Sequence, residues 1–207
     1  MTVSQKKAPS RHRGLRVVGG FVRGRRLGVP PGKGVRPTQD RIREALFSIL
    51  GDTVEGSIVL DAFAGSGALG IEALSRGAER AVFCDEKHEC VHAIRENLRK
   101  CELEGRAVVF RTRLPEGLAG IREALAEPCD LVFLDPPYGA EGKERILEGL
   151  HRFALLKERA RIVFEHAQKD AFSCVPAGFV VDRERRYGDT LLTFLNYQPG
   201  EETDDGR

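Results

Sequence analysis

The stretch Val59-Leu60-Asp61-Ala62-Phe63-Ala64-Gly65-Ser66-Gly67-Ala68-Leu69-Gly70 constrains this chain more than any other. Ile58 to Leu60 is an apolar run, the pattern of a buried parallel strand. The run ends in an acid, passes through small residues and enters a helix with Leu69, Ile71, Ala73 and Leu74 as its apolar positions. Gly65, Gly67 and Gly70 have G-x-G-x-x-G spacing. Such glycines let the backbone turn tightly and approach a ligand that a Cβ would hold off. The following helix points its first N–H groups at that ligand. The spacing alone fits several nucleotides. Asp61 narrows the choice, because an acid there repels a pyrophosphate and accepts from an ammonium group, directly or through water.

The rest of the chain alternates. Strands are expected at Arg80 to Asp85, Ala107 to Arg111, Cys129 to Leu134 and Ala160 to Glu165. Helices are expected at Lys87 to Lys100, Gly117 to Ala126 and Gly142 to Leu155. Phe179 to Arg185 and Thr190 to Tyr197 read as a closing antiparallel pair around Tyr187-Gly188-Asp189. Alternating elements imply a mostly parallel sheet covered on both faces. Ligands of such sheets bind beyond the carboxyl ends of the strands. Asp61, Asp85 and Asp135 all fall at expected strand ends, which packing does not explain.

Charge is uneven. The net charge is +2, yet the first 39 residues hold ten Lys and Arg and no acid. The remainder is therefore acidic, and a basic arm on an acidic body points to a polyanionic partner. Residues 1–14 read as a flexible basic tail, 15–34 as a basic β-hairpin and linker outside the α/β body, and 198–207 as an acidic tail. Residues 35–197 form the main domain and open with a helix capped at Thr38. No run approaches a membrane span and no apolar signal core is present, so a cytoplasmic protein is expected. Five cysteines with no C-x-x-C pair read as free thiols, and no metal is expected.

Two further motifs carry chemistry. Asp85 can accept both ribose hydroxyls of a nucleoside; Glu86 competes for that role, and a helix cap is the structural alternative. Asp135-Pro136-Pro137-Tyr138 is the most specific signal. Its prolines stiffen the loop and leave carbonyls free. An exocyclic aromatic amine is a poor nucleophile, because its lone pair is delocalised into the ring. Accepting its two N–H bonds at Asp135 and the Pro136 carbonyl favours a pyramidal nitrogen, while Tyr138 stacks on the base.

Together these features resemble the seven-stranded, Rossmann-like methyltransferases that use S-adenosylmethionine (AdoMet). Arg16-Val17-Val18-Gly19-Gly20, Arg23-Gly24-Arg25-Arg26-Leu27, Arg36-Pro37-Thr38, Asp40 to Phe47 and Tyr187-Gly188-Asp189-Thr190 resemble the RsmD family. That resemblance covers roughly Leu15 to Tyr197. It implies methylation of the exocyclic N2 amine of one guanine in 16S rRNA, within an assembling small-subunit particle, by a monomer. It implies cofactor contacts at Asp61, Phe63, Gly65, Ser66, Gly67, Asp85, Glu86 and Thr112, and catalysis at Asp135, Pro136, Pro137 and Tyr138. Relatives of this fold often carry an acid where this chain has Thr112-Arg113, so the adenine contact stays unassigned. Arg16, Arg23, Arg25, Arg26, Arg36, Arg41 and Arg43 are the expected RNA contacts. The alternatives are a DNA adenine-N6 methyltransferase, disfavoured by the lack of a target-recognition insertion, and a non-catalytic nucleic-acid-binding module.

Overall fold

The computed structural model describes residues 14–31, 37–136, 142–167 and 174–200. Its helices are α1 (Pro37–Leu50), α2 (Ala68–Ser75), α3 (His88–Cys101), α4 (Leu118–Ala124) and α5 (Lys143–Arg152). Its strands are β1 (Ile58–Asp61), β2 (Arg80–Asp85), β3 (Ala107–Arg111), β4 (Cys129–Leu134), β5 (Leu156–Ala167), β6 (Phe179–Tyr187) and β7 (Thr190–Tyr197). They form one sheet in the order β3-β2-β1-β4-β5-β7-β6. The first five strands are parallel, and β7 runs antiparallel to both β5 and β6. This is the expected seven-stranded Rossmann-like methyltransferase sheet. Strand order reverses between β1 and β4, which places the ligand crevice over their carboxyl ends.

Alternation sorts each strand onto two core layers. Val59, Phe83, Phe133, Val163 and Phe194 pack under α1, α2 and α3. Leu60, Val82, Val132, Phe164 and Leu195 pack under α4 and α5. Gly70 serves this packing: a Cβ there would lie 2.3 Å from the Phe83 ring, so α2 could not sit on β2. Four of the five cysteines are buried. Burial pushes the Cys129 thiol up to about 12, the state of a packing residue rather than a nucleophile.

Residues 15–29 depart from the expected hairpin. Their ladder is a single bridge, Arg16 to Arg26, closed by Val17 N–H to the Arg25 carbonyl and Leu27 N–H to the Leu15 carbonyl. Nor do they stand outside the body. Leu15, Val17, Val22 and Leu27 are buried in the layer beneath α1, α2 and α3. The Val18 N–H donates to Glu72 Oε2 at 2.7 Å, and the Val22 N–H to Ser75 Oγ at 3.1 Å. Ser75 Oγ in turn donates to the Gly19 carbonyl at 2.6 Å. Gly20 has φ +74°, and a Cβ there would meet the Ser75 carbonyl oxygen at 1.9 Å, so only glycine permits this contact. The segment is held by helices, α2 foremost, rather than by a partner strand.

Candidate active site

The site is assembled from strand ends. Asp61 closes β1, Asp85 closes β2, and Asp135 follows β4 directly. Asp61 is buried, and its Oδ2 accepts the Gly70 N–H at 2.9 Å, fixing the first turn of α2. Gly65 and Gly67 take positive φ, 56° and 78°, which bends the loop over the strand ends. Asp85 clasps that loop from the neighbouring strand. Its Oδ2 accepts the Gly65 N–H and its Oδ1 the Lys87 N–H, both at 2.9 Å. A carboxylate has about four acceptor sites, so two bonds leave it capacity for a ligand. Glu86 faces outward instead, 4.0 Å from Arg113, with its side chain about half exposed. Phe63 is partly buried against the layer under α4 and α5. Thr112 donates its N–H to the Asp85 carbonyl at 3.1 Å, and its hydroxyl crowds Gly117 at the start of α4.

Ser66 is placed by a residue that sequence reasoning passed over. Asn97, on α3, is fully buried. Its Nδ2 donates to the Ser66 carbonyl and to the Gly28 carbonyl, both at 2.8 Å, while its Oδ1 accepts the Gly28 N–H at 2.7 Å. One amide thus holds the glycine loop and the N-terminal segment together. Nothing local to Asn97 signals this, since both partners are remote in sequence.

Asp135 is exposed and Pro136 partly so, at the rim above β4. Pro137 and Tyr138 lie outside the described residues, as does Arg36. Beside Asp135 stands a second residue that was not singled out, Glu165. Leu134 pairs with Phe164 across β4 and β5, so Asp135 and Glu165 are the next positions on adjacent strands. Burial, then the charge of Asp135, push the Glu165 carboxyl up to about 8, with Arg43 opposing. The strand expected over Ala160 to Glu165 ends in this acid, but β5 runs on to Ala167, so Glu165 lies within the strand rather than at its end.

The arginines divide. Arg23, Arg26 and Arg41 are exposed. Arg25 donates to the Lys100 carbonyl and bonds Glu102 at 3.1 Å, so it ties the segment to the end of α3. Arg16 lies 3.4 Å from Asp40. Arg43 corrects the expectation of a surface contact. Its side chain is only 5% exposed; it donates to the Arg16 carbonyl at 2.6 Å and to Asp40 at 2.9 Å, and its Nε lies 3.7 Å from buried Glu72. Glu72 also takes Arg76 at 2.8 Å. Arg43 belongs to an internal ion cluster that joins α1, α2 and the N-terminal segment.

Known proteins resemble this chain in sequence and fold. The family model described as Conserved hypothetical protein 95 matches residues 15–196. The chain is 34% identical to ribosomal RNA small subunit methyltransferase D of Escherichia coli, over 92% of this chain and 93% of that one. It is 35% identical to the Bacillus subtilis protein YlbH, over 85% of this chain and 95% of the relative. The solved structure of the Escherichia coli protein yhhF superposes with a TM-score of 0.75 at 33% identity, covering 89% of this chain and 98% of that one. A family match across nearly all of the described sheet, with relatives aligned almost end to end, establishes that this chain belongs to the RsmD family.

Proposed function

We propose that this protein transfers a methyl group from AdoMet to the exocyclic N2 amine of one guanine in 16S rRNA, acting as a monomer on an assembling small-subunit particle. The observation that carries the reading is the row of acids Asp61, Asp85 and Asp135 along one sheet edge, over the point where strand order reverses. The names of the relatives aligned almost end to end support the rRNA substrate.

The residues present fit AdoMet. The loop from Phe63 to Gly67 offers a bent backbone with few side chains in the way, and Asp85 keeps acceptor capacity facing it for the ribose hydroxyls. Asp85 suits that role better than Glu86, which is turned towards Arg113. Asp61, buried beneath the loop, sets α2 in place and adds negative potential where the ammonium group would lie. Thr112 supports the floor beside Asp85 through its backbone, and its hydroxyl lies against Gly117. Bound AdoMet supplies a sulfonium-activated methyl group.

The chain's own part is to position the amine. Asp135 accepts one N–H of the guanine N2, and the Pro136 carbonyl accepts the other. The nitrogen lone pair would then be freed from the ring to attack an activated methyl carbon, and the proton the amine gives up on transfer would pass to Asp135 or to water. Positioning of this kind accounts for much of the rate in a displacement that needs little acid catalysis. Tyr138 stacks on the base, whose extrusion from the RNA is required for access. Arg23, Arg26 and Arg41 dock phosphates.

Mass-spectrometric mapping of methylated guanosines in 16S rRNA from cells lacking this gene tests the reading. One N2-methylguanosine should vanish and return when the gene is restored. An unchanged modification map overturns it.

A further inference from the structure

Glu165, beside Asp135 near the carboxyl end of β5, has no role in the scheme above. Alternation directs it to the same side as Asp135, because Phe133 and Val163, two residues earlier on each strand, share one core layer. It is half-buried, and its side chain makes no hydrogen bond or ion pair among the described residues. The charged groups acting on it are Asp135 beyond β4 and Arg43 from α1, and Arg43 is already held by Asp40 and Glu72. On β7 its cross-strand neighbour is the apolar Leu192, whose own neighbour on β6 is Arg185. Burial and Asp135 together keep the carboxyl protonated until about pH 8. An acid raised in the folded state costs stability as pH climbs from its unfolded value towards the folded one. A carboxyl that weakens the fold and sits beside the reacting amine invites a functional explanation.

We propose that Glu165 reads the Watson–Crick edge of the target guanine, accepting from N1–H and donating to O6, while Asp135 and Pro136 hold the N2 amine. The inference rests on the guanine-N2 reading given above. N1–H and O6 are a donor and an acceptor side by side. A neutral carboxyl presents the reverse pair, a carbonyl oxygen that accepts and a hydroxyl that donates. Asp135, as the carboxylate that accepts from the amine, has no proton to offer O6. An N1–H left without an acceptor in a closed site forfeits its hydration with nothing in return. The neutral form of Glu165 is the one required, and the position favours it at neutral pH.

The test uses small-subunit particles lacking the mark, with N2-methylguanosine quantified by mass spectrometry and AdoMet affinity by calorimetry. Wild-type kcat/KM should fall as pH rises through about 8. Glu165→Gln keeps one donor and one acceptor but has no proton to lose. It should retain most activity and lose that alkaline limb. Glu165→Leu should lower kcat/KM by about 10- to 100-fold with AdoMet affinity unchanged. Both variants should melt at or above the wild-type temperature at alkaline pH, because each removes a destabilising carboxyl. If Glu165→Leu fails to fold, the pH profile of Glu165→Gln still decides. A wild-type alkaline limb in Glu165→Gln, or full activity in Glu165→Leu, overturns the inference. If the wild-type protein methylates something other than guanine N2, the parent reading fails and this one with it. If it makes N2-methylguanosine and the variants match it, only the role of Glu165 fails.

Discussion

The glycine loop after β1 and the segment before α1 are both short, glycine-bearing and fastened to the same buried Asn97. They differ in the range of the contacts that fix them. The loop is held mainly from nearby or adjacent strands: Asp61 takes the Gly70 N–H, and Asp85 takes the Gly65 N–H. The segment is held by Glu72, Ser75 and Asn97, more than fifty residues away. A chain segment fixed at long range shows its charge in the sequence and hides its packing. The basic residues suggested a detachable docking arm, whereas the apolar residues between them are part of the core.

Removing residues 1–29 breaks the comparison most sharply. It takes away Leu15, Val17, Val18, Val22 and Leu27, buried side chains worth about 1.5–3 kcal/mol each for the larger ones. That sum rivals a typical domain's whole stability of about 5–15 kcal/mol. The truncated protein should lose its cooperative thermal transition and its AdoMet binding together. A truncated protein that melts like the full chain and binds AdoMet normally would make the segment an appendage after all.

Glu72→Ala is the next largest effect. It leaves Arg43 buried without its inner partner and strips the Val18 N–H of its acceptor. Breaking a buried pair in this way costs about 3–5 kcal/mol, to be read from urea denaturation. AdoMet affinity of the folded fraction should stay within a few fold, since Glu72 does not touch the glycine loop. A variant as stable as wild type would show that the cluster does not clamp the segment.

Asp85→Ala acts the other way round. It should weaken AdoMet binding by about 10- to 100-fold in calorimetry, from lost charge-assisted hydrogen bonds. Its stability should drop less than that of Glu72→Ala, because the Lys87 N–H it abandons is exposed and only the Gly65 N–H is left part-buried. Normal binding by this variant, with failure of Glu86→Ala, would transfer the ribose role to the outward acid.

The smallest effect on the molecule itself should come from reversing Arg23 and Arg26 to Glu. Both are exposed, so melting and AdoMet affinity should hardly change. Particle binding should weaken and its salt dependence should flatten, as expected when phosphate contacts are lost. Arg25 serves as the contrast: its bonds to Lys100 and Glu102 make Arg25→Glu a stability variant first. Unaltered particle binding by the double variant would move the docking surface elsewhere.

The sheet was legible because strand and helix periodicities are local. Arg80–Asp85, Ala107–Arg111 and Thr190–Tyr197 have the bounds read from the residues alone. β5 was read short. Its early part, from Leu156, pairs with Cys129 before a register shift and includes Arg159 at φ 64°, an irregularity with no sequence marker. The acids at strand ends were legible by their position; Glu165 lies inside β5 and is marked only by its register beside Asp135. Arg43 was misread because charge is visible in a sequence and burial is not. Its neighbours Asp40 and Glu44 gave no hint that Glu72, on another helix, would neutralise it.

In the proposed reaction, the edge formed by β1, β2 and β4 separates cofactor binding from amine positioning. Single-turnover transfer of labelled methyl from AdoMet to particles, for wild type and Asp135→Ala side by side with AdoMet calorimetry, tests it most directly. The wild type should yield N2-methylguanosine and Asp135→Ala almost none, with AdoMet affinities within a few fold of each other. Methyl transfer by Asp135→Ala at the wild-type rate, or loss of AdoMet binding in step with activity, would contradict that separation.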